Sequence, residues 1–123
     1  MNYEITKRQS RLWSRIGARA SFGQAVLSLA ESEKNLIAMS ADLSRSSGFG
    51  PLISKYPNKF VNIGIAEQNM IGVAAGFTKI GYNVFTTSFA PFLSYRASEM
   101  VRMNLSYMQI PVKIVGLASG LAL

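Results

Sequence analysis

VNIGIAEQNMIGVAAG, residues 61–76, sets one acidic side chain, Glu67, inside an otherwise apolar stretch. Its first part belongs to FVNIGI (60–65), which reads as a short buried strand. Its second part opens AEQNMIGVAAGFTKIG (66–81), which reads as a helix closed by Gly81. The same alternation extends both ways. Upstream, SFGQAVLSL (21–29) places Phe22, Ala25, Val26 and Leu29 at helical spacing, with Asn35 ending that helix, and LIAMSAD (36–42) reads as a strand. LSRSSGFGP (43–51) is a loop by its Ser and Gly content. Downstream, YNVFTTSF (82–89) is a third strand, and residues 90–109 form one long helix with Pro91 in its first turn, where proline is tolerated. PVKIVGLAS (111–119) is a fourth strand. Short apolar strands alternating with longer helices predict an α/β fold, a three-layer arrangement of a mostly parallel sheet flanked by helices.

Composition narrows the chemistry. Hydrophobic residues make up 49% and charged residues 15%, enough apolar surface for a real core. The absence of Cys excludes disulfides and thiolate metal sites, and the absence of His removes the commonest general base. No metal ligand set stands out. Acid–base work falls to carboxylates, Tyr, Lys or a cofactor. No apolar run approaches the roughly 18 residues of a membrane helix. The basic start lacks an apolar signal core, so a cytoplasmic location with no membrane contact is expected. The net charge is +7, with Lys7, Arg8, Arg11, Arg15 and Arg19 early in the chain. Such an arm suits nucleic acid or an acidic partner. No stacking aromatics except Trp13 interleave it, so nucleic acid is the weaker reading and a solvated linker the stronger. Residues 1–17 are taken as a basic leader or linker and residues 18–123 as the domain.

In parallel α/β sheets, ligands bind beyond the C-terminal ends of the strands. Asp42, Glu67 and Phe89 each follow one of three successive strands, which places them in one crevice. Two readings of Glu67 stay open on the residues alone. It is a first-turn residue that complements the helix dipole, worth about 0.3–1 kcal/mol, or a carboxyl in an apolar crevice able to share a proton with a ligand nitrogen. Phe89, Phe92 and Tyr95 recur every three residues and are expected on one helix face.

Taken together, RASFGQAVLSLA, SADLSRSSG, VNIGIAEQNMIGVAAG, TSFAPFLSYRASEMVR and PVKIVG resemble, in order, the pyrimidine-binding domain of the transketolase family of thiamine diphosphate enzymes. The similarity runs from about Arg19 to the end and is nearest to the split form, whose C-terminal subunit opens with this domain. The resemblance implies that Glu67 hydrogen-bonds N1′ of the cofactor's aminopyrimidine, so that the cofactor serves as its own base. It implies that Phe89, Phe92 and Tyr95 enclose the pyrimidine ring and that Asp42 lies near the thiazolium side. It assigns Arg19 and Ser46 to a sugar phosphate. Arg96 and Arg102 are read as structural.

The match also has gaps. The family's Gly-Asp-Gly motif, which holds the diphosphate and Mg²⁺, has no counterpart, since the sequence contains no Gly-Asp pair. Ala118 stands near the place of a family His. The domain reads as incomplete at its C-terminus. The resemblance therefore implies transfer of a two-carbon ketol unit between sugars or sugar phosphates, with activity only alongside a diphosphate-binding partner subunit, as a homodimer or heterotetramer. The isolated chain is expected to be inactive. The rival reading is a non-catalytic remnant or assembly subunit that keeps the fold.

Overall fold

The computed structural model describes residues 5–121. At its centre lies β1 (Leu36–Ser40), apolar but for its last residue and buried along its whole length. Alternation along β1 feeds two cores. Ile37, Met39 and Ala41 face α3 (Glu67–Lys79), packing with Met70, Ile71 and Ala74. Leu36 and Ala38 face α1 (Lys7–Ser32) and α2 (Gly50–Lys55), packing with Val26, Ala30, Phe49 and Leu52. A strand buried on both faces must be apolar at successive positions, which is why the period-two signal is missing from LIAMS.

The sheet has four strands in the order β2-β1-β3-β4, with β2 (Phe60–Asn62), β3 (Asn83–Phe89) and β4 (Lys113–Leu117). Each neighbouring pair is parallel, so all four C-terminal ends lie on one edge. Strand order reverses between β1 and β3, the position where α/β sheets place ligands. The three-layer α/β expectation holds. Among the described residues no helix is long and apolar enough to cross a membrane.

Several elements depart from the expectation. Helix α1 begins at Lys7, well inside the stretch taken as a leader, because Thr6 and Gln9 form a reciprocal capping box. It kinks at Gly17, whose φ of 80° is outside helical space. At its other end Lys59 Nζ donates to the carbonyls of Ala30 and Glu33 at 2.8 and 2.6 Å. Helix α2 begins in the last two residues of the expected loop and continues where no element was expected; at six residues it is too short to show periodicity. Strand β2 stops at Asn62 rather than at residue 65, because the Asn62 side chain and a positive φ at Gly64 turn the chain. The long helix of 90–109 is broken. Phe92–Arg96 and Val101–Tyr107 are π-helical, separated by one short α turn, α4 (Ser98–Met100).

Candidate functional site

Glu67 opens α3 and is 1% exposed. Its Oε1 accepts a hydrogen bond from Ser88 Oγ at 3.2 Å, and its Oε2 accepts from Arg96 Nη1 at 2.8 Å. Ser88 is the penultimate residue of β3 and is fully buried. Just before it, Thr86 and Thr87 turn their hydroxyls onto the β4 carbonyls of Lys113 and Val115. The polar side chains at this end of β3 are thus all partnered, and one of them is aimed at Glu67.

The π turn brings Arg96 to this place. The Ala97 N–H reaches back five residues to the Phe92 carbonyl at 3.2 Å, widening the turn. The Arg96 guanidinium then lies over the Phe92 ring, 4.3 Å from its centroid, while contacting Glu67. Gln68 Nε2 donates to the Arg96 carbonyl at 2.9 Å, so the first turn of α3 holds both the backbone and the side chain of Arg96. Phe92 is tilted at 44° to Phe89, with centroids 5.8 Å apart. Arg19, from α1 just after the Gly17 kink, sits 5.8 Å from the Phe89 centroid. A continuous series of contacts therefore runs from Arg19 through Phe89, Phe92 and Arg96 to Glu67, joining α1, β3, the π turn and α3.

Three cavities open along this series. One of about 320 Å³ is lined by Ile65, Ala66, Glu67, Gln68, Asn69 and Arg96. A second, of about 400 Å³, includes Phe89, Ser94, Tyr95 and Ser119. A third, of about 450 Å³, includes Arg19, Gly116, Ala118 and Ser119. Ala118 and Ser119 border both of the last two, beside Phe89 and Arg19.

The structure brings together Glu67, Phe89, Phe92 and Arg19. The expectation that Phe89, Phe92 and Tyr95 share one helix face needs correction. Phe89 ends β3, and the wider π turn breaks a three-residue repeat, leaving Tyr95 84% exposed at the rim of the Phe89 cavity. Asp42 lies at the other side of the edge in a left-handed conformation, φ 59°. Its N–H donates to Asn62 Oδ1 at 3.0 Å and its Oδ1 accepts from Asn62 Nδ2 at 3.1 Å, a clasp between the ends of β1 and β2. Ser46 is half-buried in the turn that follows β1. Among the described residues no hydrogen bond or ion pair links Asp42 or Ser46 to Glu67 or Arg96. Sequence reasoning missed Ser88 and Asn62, and it read Arg96 as structural without placing it beside Glu67. The one available signal for Arg96 was its place four residues after Phe92.

The family model for the pyrimidine-binding domain of transketolase matches residues 14–123. An apulose-4-phosphate transketolase subunit of Phocaeicola vulgatus is 37% identical over 107 residues, covering 87% of this chain and 34% of the relative. A solved split-gene transketolase, described as an inactive β4 tetramer, superposes with a TM-score of 0.71 at 37% identity, over 77% of this chain and 32% of that one. A transketolase structure from Campylobacter jejuni shares the fold, with a TM-score of 0.70 at 24% identity, over 80% of this chain and 16% of that one. The chain thus spans about a third of the length of the Phocaeicola vulgatus relative and of the split-gene structure.

Proposed function

The chain belongs to the transketolase pyrimidine-binding domain family, and from that membership we propose that it supplies the pyrimidine half of a transketolase whose two halves lie on separate chains. The observation that carries this reading is Glu67, a buried carboxylate at the sheet's C-terminal edge beside a pair of tilted aromatic rings. The bond from Ser88 uses one of roughly four lone-pair positions on the carboxylate, which leaves acceptor capacity for a ring N–H beside or in place of the Arg96 contact. These residues fit an aminopyrimidine.

When bound, thiamine diphosphate supplies the carbon–carbon bond chemistry of two-carbon ketol transfer. On this reading Glu67 holds a proton at the pyrimidine N1′. Phe92 and Phe89 orient the ring and keep water from it, with Tyr95 at the rim. Asp42 is assigned to the thiazolium side, and Arg19 and Ser46 to the phosphate of a sugar substrate. The chain lacks any Gly-Asp pair, so the diphosphate and Mg²⁺ fall to a partner subunit carrying a Gly-Asp-Gly motif. The description of the solved split-gene relative as inactive in its β4 form supports a need for that partner. It equally suits the second reading, a non-catalytic assembly subunit.

The experiment is reconstitution with the diphosphate-binding subunit. The mixture should transfer a two-carbon unit between sugar phosphates, and this chain alone should not. Glu67→Gln is isosteric but cannot share the proton, so it should lower turnover on the order of 10²-fold or more with the fold intact. Near-normal turnover in the Gln variant would return Glu67 to a helix-end role.

A further inference from the structure

Arg96 engages both surfaces that the proposed pyrimidine site offers. Its Nη1 donates to Glu67 Oε2 at 2.8 Å, and its guanidinium carbon lies 4.3 Å from the Phe92 centroid. A flat, polar group lying over a ring face and donating to a carboxylate makes the same pair of contacts that an aminopyrimidine would make. One side chain of the protein thus stands where the ligand belongs. We propose that Arg96 is a displaceable latch on the pyrimidine site: it closes the site while the pyrimidine is absent, and the ring enters as the guanidinium swings off Phe92 and Glu67. This rests on the reading of Glu67 and Phe92 as pyrimidine contacts.

The local construction suits such a movement. The Arg96 side chain is 45% exposed, whereas Glu67 is 1% exposed. The guanidinium therefore leaves toward water and regains hydration. The Arg96 backbone stays behind, because Gln68 holds its carbonyl at 2.9 Å and the Ala97 N–H closes the π turn on Phe92. Motion is confined to one side chain. Glu67 would keep its Ser88 partner at 3.2 Å. A buried carboxylate stripped of its cation is costly, so the open state is a minor one until a ligand fills it. The apparent affinity for a ligand falls by the fraction of the chain that is open.

The test uses the full chain and the pyrimidine half of the cofactor, 4-amino-5-hydroxymethyl-2-methylpyrimidine, titrated by ligand-observed NMR. Neither metal, diphosphate nor partner enters the measurement. Arg96→Ala removes the latch. Arg96→Gln removes the cation but keeps an amide donor for Glu67, in case the Ala variant does not fold. Both, checked by circular dichroism, should bind the pyrimidine about threefold to tenfold more tightly than the parent chain, corresponding to an open fraction of roughly a tenth to a third. Adding Glu67→Gln to either variant should abolish the gain. If folded variants bind equally or more weakly while Glu67→Gln still lowers binding in the parent, Arg96 is a fixed support, and the latch fails while the site reading stands. Failure of both variants to fold likewise makes Arg96 a fixed support and overturns the latch. Binding indifferent to Glu67→Gln in every background, or no binding at all, overturns the site reading and the latch with it.

Discussion

Glu67 is held by one buried partner and one at the surface. Ser88 is fully buried on a central strand, whereas Arg96 reaches in from the surface. Glu67 itself was legible, because a lone acid in an apolar run between a strand and a helix is conspicuous. Its partners were not. A serine near a strand end and an arginine on a helix both read as ordinary, and only the π turn puts Arg96 back over Phe92. Ser88→Ala isolates the buried contact. Among the described residues the hydroxyl is the only partner of Glu67 on the sheet, so its loss leaves one carboxylate oxygen buried without its donor. A cost of about 1–3 kcal/mol in unfolding free energy is expected. Urea denaturation measures it, and an unchanged midpoint would mean that the 3.2 Å contact contributes nothing.

Among the elements, α1 is placed by a close backbone crossing as well as by the burial of Val26 and Ala30. Gly23 lies against the turn after β1 so closely that an added Cβ would meet the Gly48 carbonyl oxygen at 2.1 Å. Gly48, at φ 74°, would in turn press a Cβ to 2.6 Å from the Arg19 carbonyl oxygen. This crossing sets where Arg19 stands over Phe89. Gly23→Ala cannot be absorbed by rotating a side chain. Helix propensity favours Ala by up to about 1 kcal/mol, but the clash should outweigh it and leave a net destabilisation of roughly 1–3 kcal/mol. A thermal melt at or above that of the parent would show that the helix slides freely on the turn. The strands and α3 were legible to within a few residues because their apolar runs end at polar or glycine signals. Helix α2 was not, being six residues long, nor was the extension of α1 to Lys7, where an exposed, basic helix carries no apolar period. The π segments escaped because their apolar residues still read as α-helical; what breaks the helix is hydrogen bonding, not composition.

At the scale of the whole molecule, the outer face of α3 has no counterpart among the described residues. Gly72, Gly76 and Ile80 fall on one face at four-residue spacing. A Cβ built at Gly72 or Gly76 would meet nothing within 4 Å, so neither glycine is needed for packing inside this chain. Ile80 is 73% exposed, and Ile65, just ahead of the helix, is 77% exposed. On the segment packed beside α3, Tyr95 and Tyr107 are 84% and 79% exposed. Soluble monomers seldom show apolar patches beyond a few hundred Å². Mid-helix glycines cost about 0.5–1 kcal/mol each relative to Ala, a cost that close approach of another chain would offset. Sedimentation velocity at micromolar concentration should therefore report a dimer, a larger assembly or aggregation. Gly76→Arg supplies the decisive comparison. It has open space within its own chain, so the fold should survive with its melting temperature undiminished at low protein concentration, while a bulky cation on the smooth face should drive the assembly toward monomer. A parent chain that sediments as a compact monomer, or a Gly76→Arg variant that assembles as the parent does, would remove α3 from any interface and leave its glycines without an explanation in packing.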